Sequence, residues 1–230
     1  MKHLYAIKTF VAVLAYLCLS VQTASGSQAL QDSLRSLAEN PAFVNLSIIP
    51  GVEVDLKYAT TDNFMKENLY GEFRVAFLHR IAAEKLRLAT VVLLQLKPGW
   101  KFLVFDALRP RSVQRKLWDK VRGTDQQPYV ANPEKGSIHN FGFAVDLSLI
   151  NEDGKEVDMG SKFDDFSKLS EPALEEEFLK TGKLTAVQVN NRRTLRKVMT
   201  EAGFQQQPNE WWHYDALPAR EVRVKYPIVE

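Results

Sequence analysis

Cysteine is almost missing from this chain. Its 230 residues contain a single one, Cys18, and that lies in an N-terminal apolar run. A chain shortened past about residue 26 therefore has none. This excludes a disulfide framework and any cysteine-ligated metal site, and leaves histidine and carboxylates as metal ligands. Histidine is scarce too, with 4 residues. A dominant charge is lacking: the formal net charge is +2. There is no long basic run and no interleaving of basic with aromatic residues, so neither nucleic acid nor an anionic membrane surface is an expected partner. Low-complexity tracts and internal repeats are absent. The apolar run from Thr9 to Leu19 is shorter than the roughly 20 residues a bilayer span needs, and polar Ser20, Gln22 and Thr23 follow it at once.

That run has a different use. Lys2 and Lys8 make a positive start, Thr9 to Leu19 an apolar middle, and Ala24-Ser25-Gly26 a set of small residues at a cleavage position. Residues 1–26 are expected to be a secretory signal peptide, and 27–230 the working domain. Tyr16-Leu17 before Cys18 lacks the small residues of a lipid-attachment site. Export, to a bacterial periplasm or cell exterior, follows from this assignment.

With 45% hydrophobic residues the chain can bury one sizeable core. Gln28 to Glu39 predicts an amphipathic helix with Leu30, Leu34 and Leu37 on one face, stopped by Asn40-Pro41. Phe43 to Leu56 is strand material broken by Pro50-Gly51, and Tyr58 to Tyr70 is loop. Val75 to Leu96 predicts a core helix with Leu78, Ile81, Ala82, Leu86, Leu88, Ala89 and Leu93 inward. His79 within it is a packing or surface histidine, with no carboxylate pattern around it. Lys101 to Ala107 predicts a buried strand ahead of Arg109-Pro110 and a helix from Arg111 to Val121. Ala144 to Leu149 predicts another strand, followed by an Asn151–Gly154 turn. Pro172 to Leu179 and Ala186 to Ala202 predict helices, the second with Val187, Leu195, Val198 and Met199 inward. Its Arg192, Arg193, Arg196 and Lys197 are expected on a solvated face. The fold class is α+β, a single domain with a central, mostly antiparallel sheet flanked by helices.

Two stretches carry chemistry. Ser137-Ile138-His139-Asn140-Phe141-Gly142-Phe143-Ala144-Val145-Asp146 supplies a histidine and an aspartate. Glu210-Trp211-Trp212-His213 supplies a second histidine. Three protein ligands, His139, Asp146 and His213, leave one zinc position for water, as catalytic rather than structural sites do. Glu210, three residues before His213, is placed to act as general base.

The surrounding words sharpen this. Asp55-Leu56-Lys57-Tyr58-Ala59-Thr60 with Asp62-Asn63-Phe64, then Arg109-Pro110, then Ser137 to Asp146, then Met159-Gly160-Ser161-Lys162-Phe163-Asp164, Asn191-Arg192-Arg193 with Leu195-Arg196, and Glu210-Trp211-Trp212-His213-Tyr214 run in order over about residues 45 to 215. In these the sequence resembles the zinc D-alanyl-D-alanine dipeptidases. The resemblance implies one zinc ion per chain, hydrolysis of free D-alanyl-D-alanine in cell-wall dipeptide turnover, and a small dipeptide as partner. It implies that Arg109 stabilises the oxyanion, with Arg111 its nearby decoy. It also implies that Tyr58, Ser137 and Asp164 bind substrate, Asp164 and Tyr58 at the ammonium. Two alternatives stand beside it: a zinc D,D-carboxypeptidase acting on peptidoglycan stem peptides, and a non-catalytic zinc-binding module.

Overall fold

The computed structural model describes residues 28–230, so the expected signal peptide lies outside the described residues. Short strands dominate its sheet. In chain order they are β1 (Phe43–Asn45), β2 (Val52–Val54), β3 (Phe77–His79), β4 (Lys101–Asp106), β5 (Ala144–Ile150), β6 (Gln205–Gln206) and β7 (His213–Asp215). The helices are α1 (28–39), α2 (Arg80–Leu96), α3 (Arg111–Val121), α4 (Glu175–Lys180), α5 (Ala186–Glu201) and α6 (Ala219–Lys225).

The main sheet has the order β2-β4-β5-β7-β6. Only the β2–β4 pair is parallel; the others are antiparallel. β1 and β3 form a separate antiparallel pair. The expected α+β domain with a mostly antiparallel sheet is what the chain forms. β5 is central, and every one of its residues is buried. That is why its polar members, Asp146 and Ser148, stand out: a buried polar side chain needs a partner or a task. β4 and β5 slip register between Val104 and Asp106. The irregularity re-aims the end of β4 and sets Asp106 opposite Asp146, as bulges beside active sites commonly do.

Local differences from the sequence expectations have tertiary causes. The helix expected from Val75 starts at Arg80, because Phe77–His79 pairs with Phe43–Asn45 instead. Its buried stripe is Ala82, Ala83, Leu86, Ala89 and Leu93, while Ile81 and Leu88 face outward. His79 caps this helix, its Nδ1 accepting from the Ile81 amide. It also stacks on Phe143. The stretch at Pro172 divides into a 3-10 turn, Pro172–Leu174, and α4. In α5, Leu195, Val198 and Met199 are inward as expected, but Val187 is exposed and Arg192 is buried. The last strand, β7, begins at His213, and Trp211 and Trp212 are buried in the core just before it. No helix among the described residues is long and apolar enough to cross a membrane.

Candidate active site

The sheet itself brings the ligand residues together. Asp146 on β5 pairs directly with His213 on β7. His139 arrives from a 3-10 turn, Ile138–Phe141, that ends at Gly142. Gly142 sits at φ 73°, where a Cβ would come within 2.9 Å of both the His79 amide nitrogen and Phe43. Glycine alone lets the chain turn there and re-enter as β5. The candidate ligand atoms of His139, Asp146 and His213 lie within 4.8 Å of one another.

Their hydrogen bonds reveal what they await. His139 Nδ1 is 2.6 Å from the Ala107 carbonyl. A carbonyl only accepts, so Nδ1 carries the proton and Nε2 presents a lone pair. His213 Nε2 is 3.0 Å from Asp215 Oδ1, and by the same logic donates to it and leaves Nδ1 as a lone pair. These two lone pairs face each other at 3.2 Å. Asp146 closes the group, with Oδ2 3.3 Å from His139 Nε2 and Oδ1 3.0 Å from His213 Nδ1. Asp146 Oδ1 is buried and receives no hydrogen bond. Three electron-rich atoms turned inward, each oriented from behind by another group, are a fit for a cation with open coordination. Without one, a proton takes its place. Burial lowers the His213 pKa, but the hydrogen bonds its protonated ring makes to Asp146 and Asp215, and their charges, outweigh it and hold it well above the ordinary imidazole value. Burial likewise opposes the Asp146 charge, yet His139 and His213 hold that carboxyl well below the usual range.

Glu210 Oε2 stands 3.6 Å from His213 Nδ1. Burial raises its carboxyl to about 7, with His213 pulling the other way. A carboxyl near neutrality is suited to take and return a proton. Arg109 lies behind the ligand group and is itself buried. Its Nε donates to Asp106 Oδ2 at 2.7 Å, Nη1 to Gln114 Oε1 at 2.9 Å and Nη2 to Asp146 Oδ2 at 3.5 Å. The pair with Asp106 is buried, and Tyr70 donates to the other Asp106 oxygen at 2.7 Å. Arg111, the decoy, instead pairs with Glu230 near the surface.

Asp164 faces the same cleft. Tyr58 Oη donates to its Oδ1 at 3.1 Å and the Phe64 amide to its Oδ2 at 3.2 Å. Burial raises its carboxyl to about 8. It holds φ at 62°, a left-handed conformation that costs on the order of 1–3 kcal/mol in a residue with a Cβ. Ser137 lines the cleft beside His139, with its amide bonded to Asn140 Oδ1 at 2.8 Å. The cleft volume is about 220 Å³, below the roughly 300–1,000 Å³ of sites for drug-sized ligands. Trp212, Tyr129 and Phe166 form its walls. Gln114 and Asp215 were not singled out from the sequence. The one signal available was Asp215's position two residues beyond His213, which puts both on one face of a strand.

The D-ala-D-ala dipeptidase family model matches residues 39–229. The chain belongs to that family. It is 31% identical over 194 residues to the D-alanyl-D-alanine dipeptidase of Escherichia coli K12, covering 84% of this chain and 92% of that protein. It is 29% identical over 188 residues to the D-alanyl-D-alanine dipeptidase of Enterococcus faecium, covering 73% and 87%. A third relative, the D-alanyl-D-alanine dipeptidase of Synechocystis, is 30% identical over 187 residues, covering 67% and 74%. Membership makes the chain a peptidase and its inward-facing cluster a metal-binding group.

Proposed function

We propose that the protein is a zinc-dependent dipeptidase that hydrolyses free D-alanyl-D-alanine. The observation that carries this reading is the presence of two unlike carboxyl groups in one small cleft: Glu210 beside the ligand cluster, and Asp164 in a hydrogen-bonded pocket apart from it. His139, Asp146 and His213 would hold the zinc ion, which supplies Lewis acidity and an acidified water.

The chain's own residues divide the remaining work. Asp164, oriented by Tyr58 and the Phe64 amide, binds the substrate ammonium and so requires a free N-terminus. Arg109 presents a fixed guanidinium to the negative charge that develops on the scissile carbonyl oxygen; its three hydrogen-bond partners hold it in place before substrate arrives. Such preorganised charge is where most of the rate gain of hydrolases lies. Glu210 takes a proton from the attacking water and passes it to the leaving amine. Its position near neutrality suits both halves of that transfer. Ser137 stands at the cleft wall as a further substrate contact.

Asp164 also favours this reading over a D,D-carboxypeptidase, whose stem-peptide substrates would bring an amide where an ammonium is needed. The decisive experiment compares the zinc-loaded enzyme on D-Ala-D-Ala and on a pentapeptide ending in D-Ala-D-Ala. Cleavage of the dipeptide alone is expected, and preference for the pentapeptide refutes it. Glu210→Ala should bind zinc and cleave nothing. A wild-type protein that binds zinc but cleaves no dipeptide would instead be a binding module. Residues 1–26 are proposed to direct export, and wall-fragment turnover is the role that fits an exported enzyme; detection of the protein in the cytosol alone would refute this.

A further inference from the structure

The loop that carries Asp164 has little structure of its own. Between Met159 and Ser170 it forms one short 3-10 turn, Lys168–Ser170, yet it holds Asp164 in a left-handed conformation. Something outside the loop must over-determine it. Tyr58 and the Phe64 amide hold its carboxyl, and the ends of the loop are held by the side chain of Arg192, on the inward face of α5, which is 1% exposed.

Arg192 reaches both ends of the loop. Nε donates to the Met159 carbonyl at 2.6 Å and Nη1 to the Leu169 carbonyl at 2.9 Å. Nη2 donates to Ser161 Oγ at 3.1 Å. Ser161 Oγ also accepts from Trp211 Nε1 at 2.9 Å. Its own proton is then free for Ser170 Oγ, also 2.9 Å away. Asn191, next to Arg192, fixes the strand-side approach through the Asp158 carbonyl at 2.8 Å. One guanidinium thus pins the entry and exit of the Asp164 loop. Through Ser161 it ties them to Trp211, the neighbour of Glu210 in the chain. A planar fork with several donors suits this, whereas a lysine offers a single point charge and cannot span three acceptors.

We propose that Arg192 is a positioning residue for the substrate's ammonium site: with Ser161 and Trp211 it sets the distance between Asp164 and the reacting bond. It touches no substrate. It acts as a ruler that makes the cleft one dipeptide long, and this rests on Asp164 being the ammonium site.

The test uses the zinc-loaded full chain as wild type, Arg192→Lys and Trp211→Phe. Amide exchange across residues 159–170 and kinetics on D-Ala-D-Ala and N-acetyl-D-Ala-D-Ala are measured. The acetylated peptide has no ammonium for Asp164 to bind. Arg192→Lys should speed exchange in the loop by about tenfold or more while α5 exchanges as before. Both variants should raise KM for the free dipeptide about tenfold, the scale of one or two lost hydrogen bonds, with kcat within about threefold. The residual rate on the acetylated peptide should not move. Unchanged loop exchange in Arg192→Lys, or a kcat that falls as far as KM rises, overturns the proposal. So does equal loss on both peptides. A wild-type enzyme that cleaves no free dipeptide overturns the substrate reading and the ruler with it, while exchange still decides whether Arg192 holds the loop.

Discussion

Asp146 and His213 stand opposite each other on neighbouring antiparallel strands, Oδ1 to Nδ1 at 3.0 Å. The contact is a ligand pair in the presence of a metal and an ion pair in its absence. Its pH behaviour must therefore differ between the two states. The His213 pKa in the folded, metal-free chain is raised, so its contribution to stability is fully present below the unfolded value of about 6.5 and is lost as pH climbs through the raised one. Metal-free protein should melt at progressively lower temperature as pH is taken from 6 toward 9. The zinc-loaded form should decline less steeply, because the ion replaces the proton on His213, while the raised carboxyls of Asp164 and Glu210 titrate in both forms. Melting curves of both forms across that range check it, and a parallel fall in the two would refute it.

Asp215 holds His213 from behind. Asp215→Asn keeps the shape and a possible contact but removes the negative charge that fixes the Nε2–H tautomer. Zinc affinity should fall about 10- to 100-fold, the usual effect of such outer partners, with little loss of fold. Competition with a chromophoric chelator measures it.

How far these partners could be seen in advance depends on what each role demands of side-chain type. That His139, Asp146 and His213 would cluster, with Glu210 beside them, was legible because few residue types can ligate a metal or move a proton, and this chain has few histidines to choose from. The strands around them were legible from their apolar runs. Asp215 was not, since a single aspartate at a strand end does not announce which buried group it faces. Arg192 was misplaced for a stronger reason. Its helix carries Arg193, Arg196 and Lys197 as well, which reads as a solvated face. Arg193 does lie on such a face and Arg196 is half-buried against Glu175. What draws Arg192 inward is a set of loop carbonyls belonging to residues 23 and 33 positions away, and no local pattern encodes those. The same holds for the start of α2, where pairing of β3 with β1 overrode helical periodicity.

Asp164 leads to a prediction with a sign change. Burial lifts its carboxyl to about 8, close to the roughly 7.7–8.0 of a free peptide amine. At pH 6.5 the ligand arrives as ammonium and Asp164 carries a proton, so forming the ion pair should release about one proton. At pH 9 the carboxylate is already ionised and the ligand amine is neutral, so binding should take one up. Calorimetry of D-Ala-D-Ala binding to zinc-loaded Glu210→Ala, in buffers of differing ionisation enthalpy, gives both numbers. Asp164→Asn should abolish the release at pH 6.5 and weaken binding. A proton count independent of pH would refute the assignment.

Arg109 gives the sharpest separation of charge from geometry. Its guanidinium is shared among Asp106, Gln114 and Asp146, with Cζ 5.0 Å from the centre of the Tyr58 ring. Arg109→Lys keeps one positive charge, and that charge will settle on Asp106, the nearest buried carboxylate. The oxyanion then loses its fixed donor while the core keeps its charge balance. Turnover should fall about 10²- to 10³-fold with KM and zinc content nearly unchanged. Arg109→Met goes further, leaving Asp106 buried without its cation, with only Tyr70 still donating to it. Breaking such a buried pair typically costs about 3–5 kcal/mol, so this variant should also melt well below wild type. If the lysine variant retains full kcat, position alone cannot be what Arg109 contributes, and the charge of any nearby cation would suffice.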